Sequence, residues 1–241
     1  MDALIYTVMS SANRAMRAQQ VHANNLANLD TTGFRADLEL ATSETVPGYG
    51  YDSRHMSRLQ ADAVAAGAGA MRETGRDLDV AILGEGLFAV EWQGGEAYTR
   101  AGNFTVDGDG ALTLNGRPVL GDGGAIVLPP FTAMSVASNG VISILPPGEV
   151  DMQEVDRLRL VRGEAADLTK NEAGLIVSRT GDNLPVDDTV QVRSGYLEGS
   201  NVSAIGEMVA TMSLNREFEL QMKLYKSADS MAEAGNRLIR G

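Results

Sequence analysis

The chain has no cysteine among its 241 residues. That removes disulfides, thiolate nucleophiles and every cysteine-ligated zinc or iron–sulfur site. Histidine is nearly absent too: His22 and His55 are the only two, too few for a multi-histidine metal centre. Positive charge is in deficit, with 20 Lys and Arg against 32 Asp and Glu and a net charge of −12. A surface of that sign repels phosphate backbones and anionic lipid, so no nucleic-acid partner is expected. Long hydrophobic runs are also missing. The longest, Ala63 to Met71, falls far short of the ~20 residues that a membrane-spanning helix requires, which argues against membrane insertion. At the start, Asp2 stands where a secretory signal would carry basic residues, and Asn13 and Arg14 interrupt the apolar positions, so no cleaved signal peptide is expected.

What is present is ordinary for a globular chain, at 44% hydrophobic and 22% charged, and its length suffices for one large or two small domains. Glycine is in excess: 27 of 241 residues is about 11%, against ~7% on average. Glycine in that quantity belongs in turns, and many turns imply short strands.

The two ends differ from the middle. Ile5, Val8, Ala12, Ala15, Gln19, His22 and Leu26 recur at alternating spacings of three and four, with no Gly or Pro before Gly33. This period predicts a helix from about 3 to 28 with a coiled-coil-like seam. The seam is weak in apolar residues, so the helix needs partners. At the other end Val202, Ile205, Val209, Met212, Leu214, Phe218, Met222, Tyr225, Ala228, Ala232 and Ile239 continue a helical period, which slips once between Met212 and Leu214. A helix over 203–238 follows, with Asn201 or Ser203 as its cap. Met208, Met212, Met222 and Met231 give this helix a methionine-rich stripe suited to core or interface, not to a cofactor.

Between them, from about 77 to 192, β-type runs such as LDVAIL, LFAVEW and VISIL alternate with glycine turns, the pattern of an antiparallel domain. The expected fold is therefore α+β. A discontinuous terminal domain of two long paired helices (1–40 with 196–241) joins through a connector (41–75, with Pro47-Gly48) to a mostly antiparallel β domain (76–195).

Enzymatic motifs fare poorly. GEGLFA (Gly84–Ala89) matches a dinucleotide-binding fingerprint, but strand-like LFAVEW follows where the fingerprint needs a helix. DGDG (Asp107–Gly110) opens like a calcium loop, yet Pro118 occupies the place of the closing glutamate. No catalytic residue, cofactor or metal is expected. ANNLANLDTTGF (Ala23–Phe34) is harder to dismiss. Asn28 and Asp30 can stop a helix, Gly33 can adopt φ > 0 and Phe34 can anchor the emerging chain. A plain helix end explains the glycine but not Asn24, Asn25 and Asn28 together.

ANNLANLDTTGF resembles the N-terminal signature of bacterial flagellar rod and hook proteins. YLEGSNVSAIGEMVATMSLNREFELQMK (Tyr196–Lys223) resembles their C-terminal signature, and LDVAILGEGLFAV with AYTRAGNFTVDGDGALT resembles the opening of their β domain. Within that family MDALIYTVMSSANRAMRAQQ and SGYLEGSNV are more similar to the proximal-rod branch. The resemblance implies a non-enzymatic structural subunit of a helical tube that transmits torque. It implies other rod subunits and further copies of the chain as partners, export through the flagellar export apparatus without a cleaved signal, and a periplasmic rod location in a Gram-negative cell. It marks as assembly residues the N-terminal seam with Asn24, Asn25, Asn28, Thr32, Gly33 and Phe34. On the C-terminal side it marks Val202, Ile205, Met208, Met212, Phe218 and Met222, with Glu198, Ser200, Asn201, Glu207, Arg216 and Glu219 as polar contacts. Two alternatives stand beside this reading: a distal-rod paralogue, and a dinucleotide-dependent oxidoreductase using Gly84-Glu85-Gly86.

Overall fold

A computed structural model describes residues 2–45 and 55–240, with side chains described over 8–38 and 63–238. Pro47-Gly48 and the side chains of Ile5 and Ile239 thus lie outside the described residues. The fold is α+β and divides into two units. One comprises Met1–Ala27, Asp37–Asp62 and Ser203–Gly241, the other Asn28–Ala36 and Ala63–Val202. Residues 28–36 and 196–202, expected with the helices, fall in the second unit.

In the first unit α1 spans Asp2–Ala27 and α2 spans Ala204–Arg240, close to the predicted ranges. Neither contains proline, and Ala, Met, Leu, Glu and Gln supply much of each, all good helix formers. Ser203 caps α2: its hydroxyl accepts from the Gly206 amide at 3.3 Å and its carbonyl from the Glu207 amide at 2.9 Å, satisfying donors that a helix start leaves open. The helices pair antiparallel, since Arg14 reaches Glu217 while His22 and Asn25 reach Glu207. Strands β1 (Asp37–Thr45) and β2 (His55–Val64) form a two-stranded sheet. With β3 (Met71–Glu73), strand occupies much of the expected connector. Apolar and polar residues alternate in the opening DLEL of β1, a strand signal that its low hydrophobicity conceals.

The C-terminal stripe requires a correction. Ile205, Val209, Met212 and Met222 do not continue the line of Leu214 and Phe218: they are 77%, 58%, 58% and 46% exposed. The covered line of α2 is Ala204, Glu207, Thr211, Leu214, Phe218 and Gln221, an alternating three–four spacing without a slip. What looks like one slipping stripe is two faces. The face turned to α1 is largely small or polar, and the face with the stronger apolar anchors is turned outward. On α1, Ala12 and Ala15 are buried and Val8, Gln19, His22 and Leu26 half-buried.

The second unit is built from short antiparallel strands. β4 (Val80–Leu83), β5 (Leu87–Trp92), β6 (Gly95–Thr99), β7 (Thr105–Val106) and β8 (Leu112–Leu114) come first. β9 (Arg117–Pro118), β10 (Leu120–Gly121), β11 (Gly124–Ala125), β12 (Ala133–Val136), β13 (Val141–Leu145) and β14 (Gln153–Arg157) follow. β15 (Leu160–Val161), β16 (Leu168–Lys170), β17 (Ile176–Ser178), β18 (Gln191–Ser194) and β19 (Tyr196–Glu198) complete the set. The largest sheet runs β15-β5-β6-β17-β16, and β12-β13-β14 and β7-β8-β9 form three-stranded sheets. Two pairs matter below: β18 with β4, and β19 with β3, in which Glu198 lies opposite Met71. Asn115 and Gly116, both with positive φ, make the primed turn that joins β8 to β9. The main hydrophobic cluster includes Phe88, Phe104, Ile126, Ile142 and Leu158, each at most 1% exposed. Phe88 and Phe104 meet edge-on at 5.2 Å, a favoured aromatic geometry.

Candidate functional site

In the second unit the N-terminal and C-terminal signatures meet. After α1 the chain turns through Asn28–Thr31, where the Thr31 amide and hydroxyl donate to the Asn28 carbonyl and side chain at 3.2 and 3.1 Å. The Phe34 amide then donates to the Thr31 carbonyl at 3.2 Å, and Gly33 sits at φ +66°. From there residues 33–36 lie along 198–201. The Gly33 amide donates to the Glu198 carbonyl at 2.8 Å, the Asn201 amide donates to the Phe34 carbonyl at 3.2 Å, and Ala36 donates to Asn201 Oδ1 at 2.7 Å. Asn201 Nδ2 donates in turn to the Gly67 carbonyl at 2.8 Å. Lys170 closes the other side. Its Nζ lies 3.8 Å from the centre of the Phe34 ring and donates to the Arg35 carbonyl at 2.6 Å.

Beneath this clasp lies a buried ion triad. Glu198, Arg100 and Arg35 have side chains 2%, 1% and 6% exposed. Arg100 donates through Nε to Glu198 Oε2 at 2.7 Å, and Arg35 Nη2 lies 3.0 Å from Oε1. The Gly69 amide also donates to Oε1, at 2.8 Å. Arg100 Nη2 lies 2.6 Å from Glu198 Oε2, and the two Nη groups of Arg100 also donate to the carbonyls of Gly86 at 2.8 Å, Gly84 at 2.8 Å and Ile82 at 3.3 Å. The Ile82 carbonyl comes from β4, while Gly84 and Gly86 present theirs from a turn in which they take φ of +78° and +139°, where a side chain would be strained. Two cations share one carboxylate. Burial pulls the Arg35 pKa below the usual guanidinium value; the Glu198 carboxylate opposes this and the Arg100 guanidinium reinforces it.

The Gly84-Glu85-Gly86 alternative fails on this geometry. The segment leads into β5, not into a helix, and its carbonyls are taken by Arg100. DGDG is likewise a turn, in which Asp107 Oδ1 accepts from the Asp109 and Ala111 amides at 3.0 and 2.8 Å. Among the described residues no group of three or more acidic or histidine side chains could hold a metal, and no helix is long and apolar enough to cross a membrane.

In the helical unit two of the polar signature residues, Asn25 and Glu207, meet between the helices. Asn25, 1% exposed, donates to the Asp37 carbonyl at 3.0 Å and accepts from the Asp37 amide at 2.8 Å, so one side chain grips both backbone groups of the residue that starts β1. It also donates to Glu207 Oε1 at 3.3 Å, while His22 Nδ1 bonds the other oxygen of that carboxylate. Asn25→Ala should therefore remove both bonds to the Asp37 backbone and the one to Glu207, costing about 1–3 kcal/mol. Urea unfolding followed by helix signal measures this. A cost within experimental error would show that Asn25 does not brace the helical unit.

The structure thus separates the expected assembly residues. Asn25, Gly33 and Glu198 are buried; Asn28, Thr32, Phe34, Ser200, Asn201, Val202, Glu207 and Phe218 are half-buried; Asn24, Met208, Arg216 and Glu219 are exposed, with Ile205, Met212 and Met222. Sequence reasoning missed Arg35 and Arg100. Both stand in quoted or adjoining motif text, TTGFRA and AYTRAG, and a lone arginine followed by alanine and two residues from a glycine was the available signal.

Comparison with known proteins matches these segments. A family model described as flagella basal body rod protein matches residues 5–35. The flagellar hook protein FlgE/F/G D1 domain matches 81–144, and the flagellar basal body rod FlgEFG protein C-terminal model matches 193–238. The chain is 37% identical to flagellar basal-body rod protein FlgF of Escherichia coli (strain K12), and 36% identical to that of Salmonella typhimurium (strain LT2), with 99% of each chain covered in both cases. It is 30% identical to flagellar basal-body rod protein FlgG of Bacillus subtilis (strain 168), covering 95% of this chain and 96% of that one.

Proposed function

The chain belongs to the family of flagellar basal-body rod proteins, and from that premise we propose how it works as a structural subunit of the rod. Its helices are the assembly elements. They pair with each other in a coiled-coil-like seam, and the outward face of α2 packs against helices of other rod subunits and of further copies. Repeated head-to-tail contacts of this kind generate an open helical lattice instead of a closed ring. The lattice is a tube that carries motor torque, so the work is mechanical, without catalysis or cofactor. The subunit reaches the periplasmic rod through the flagellar export apparatus.

One observation carries this reading. α2 exposes Ile205, Met208, Val209, Met212, Leu220 and Leu224 at 51–77%, an apolar surface that a lone soluble subunit has no reason to keep. The proximal-rod assignment rests on similarity to the FlgF proteins over 99% of the chain. The FlgG similarity makes a distal-rod paralogue the second reading.

Truncation tests the proposal. A chain lacking Leu220–Gly241 should be made and exported with its β unit folded, yet be missing from purified basal bodies. Recovery of that chain in intact basal bodies at normal levels would contradict assembly through α2.

A further inference from the structure

We infer that Glu198 is a latch that closes in a fixed order: the C-terminal signature docks on the β unit first, and only then can Arg35 bring the N-terminal signature down beside it.

The order follows from what each segment requires. Arg100 belongs to the β unit's own frame, where the carbonyls of Ile82, Gly84 and Gly86 hold it. These dipoles engage its two Nη groups, but Nε and the positive charge are left for Glu198 to meet. The C-terminal segment has supports that owe nothing to residues 28–36. β19 pairs with β3, the Gly199 amide donates to the Ala70 carbonyl at 2.8 Å, and Gly69 donates to Glu198 Oε1. Its arrival places the carboxylate against Arg100 and makes a neutral buried pair.

The N-terminal segment has no such independence. Gly33, Phe34, Arg35 and Ala36 each bond to Glu198 or Asn201. Among the described residues it is also held by the Arg35 contact with the Ala66 carbonyl, the Ala36 carbonyl with the Ala65 amide, and Lys170 on the Arg35 carbonyl and the Phe34 ring. None of these supplies a negative charge. Were Arg35 to dock before Glu198, two guanidiniums would be buried together without a counter-ion, which is strongly disfavoured. The downward push of Arg100 on the Arg35 pKa reflects that repulsion in the closed state. A chain whose C-terminal signature is not yet in place therefore keeps its N-terminal signature open. The inference concerns the single chain and does not depend on assembly.

Amide exchange on the full-length protein tests it with three variants. Arg35→Glu should speed exchange at Gly33 and Ala36 by about a hundredfold, the scale set by a broken buried pair. Gly199 should stay protected in that variant, because Glu198 still holds Arg100. Glu198→Gln should also release Gly33 and Ala36, with the core amides of Val80, Leu112 and Ile126 unchanged. Adding Arg35→Met to Glu198→Gln should restore slow exchange at Gly33 and Ala36, since the repelled cation is gone. The inference is overturned if Gly199 opens together with Gly33 in Arg35→Glu, or if Glu198→Gln leaves Gly33 protected. Core unfolding in Glu198→Gln, or failure of the double variant to reclose, overturns it equally.

Discussion

Replacing Gly33 by valine is expected to detach the N-terminal signature from the β unit and to abolish swimming. Gly33 sits at φ +66°, a region that costs a β-branched residue about 1–3 kcal/mol. The larger obstacle is space. A Cβ at Gly33 would lie 2.1 Å from the Ala101 nitrogen and 2.3 Å from the Arg100 carbonyl carbon. Those are backbone atoms beside β6 and cannot swing aside as a side-chain tip would. The loop must leave, and with it go the Gly33–Glu198 bond and the pairing of Arg35 with Glu198. Breaking a buried pair sets the total at about 3–5 kcal/mol for the clasp. Because the first methyl already clashes, Gly33→Ala should be nearly as damaging as Gly33→Val. Exchange at residues 31–36 together with swimming in soft agar provides the measurement. An alanine variant with wild-type protection would show that the close approach to Ala101 is not maintained in solution.

The second large effect is expected on the outward face of α2. Ile205 and Met212 lie seven residues apart on one side of the helix and are 77% and 58% exposed. Both are surface positions, so replacing them by glutamate should cost the subunit's own stability no more than about 0.5 kcal/mol for each position. Assembly should fail completely, because burying two carboxylates against a neighbouring helix without partners is prohibitive. The informative comparison is Phe218→Glu on the half-buried line, which should lower the subunit's own stability as well. Normal expression, a normal unfolding midpoint and absence from basal bodies are the expected outcome for the outward pair. Normal incorporation would remove α2 from the assembly contacts.

These expectations indicate how much of the molecule could be read in advance. The helices were legible because their period is long and neither proline nor a run of glycine breaks it. The strands of the β unit were legible because Asn115-Gly116 and Asp107–Gly110 punctuate them. The two faces of α2 were not separable by hydrophobicity. The line that meets α1 is carried by Glu207, Thr211 and Gln221 as much as by Leu214 and Phe218, so apolar residues alone trace the wrong face. The strands between 37 and 64 were hidden by their many polar residues.

The clasp was half legible. Gly33 and Asn201 stand out as turn and amide signals, and the resemblance of both signatures to rod proteins marked them as belonging together. The triad beneath did not stand out. Arg35, Arg100 and Glu198 are separated by 65 and 98 positions, and no local pattern links them. GEG is the instructive case. Its glycines matched a phosphate-binding fingerprint, yet both give their backbone carbonyls to one arginine.

The most direct test of the central claim uses two adjacent positions about 100° apart around the helix, one covered and one exposed. Thr211 lies on the covered line of α2 and Met212 on the outward face. A photoactivated cross-linking residue placed at each site in turn, in cells with functional flagella, would be illuminated in purified basal bodies. The account predicts that position 212 captures other rod subunits, while position 211 gives only links within the same chain to α1. Cross-links from position 212 confined to its own chain would contradict assembly through the exposed face of the C-terminal helix.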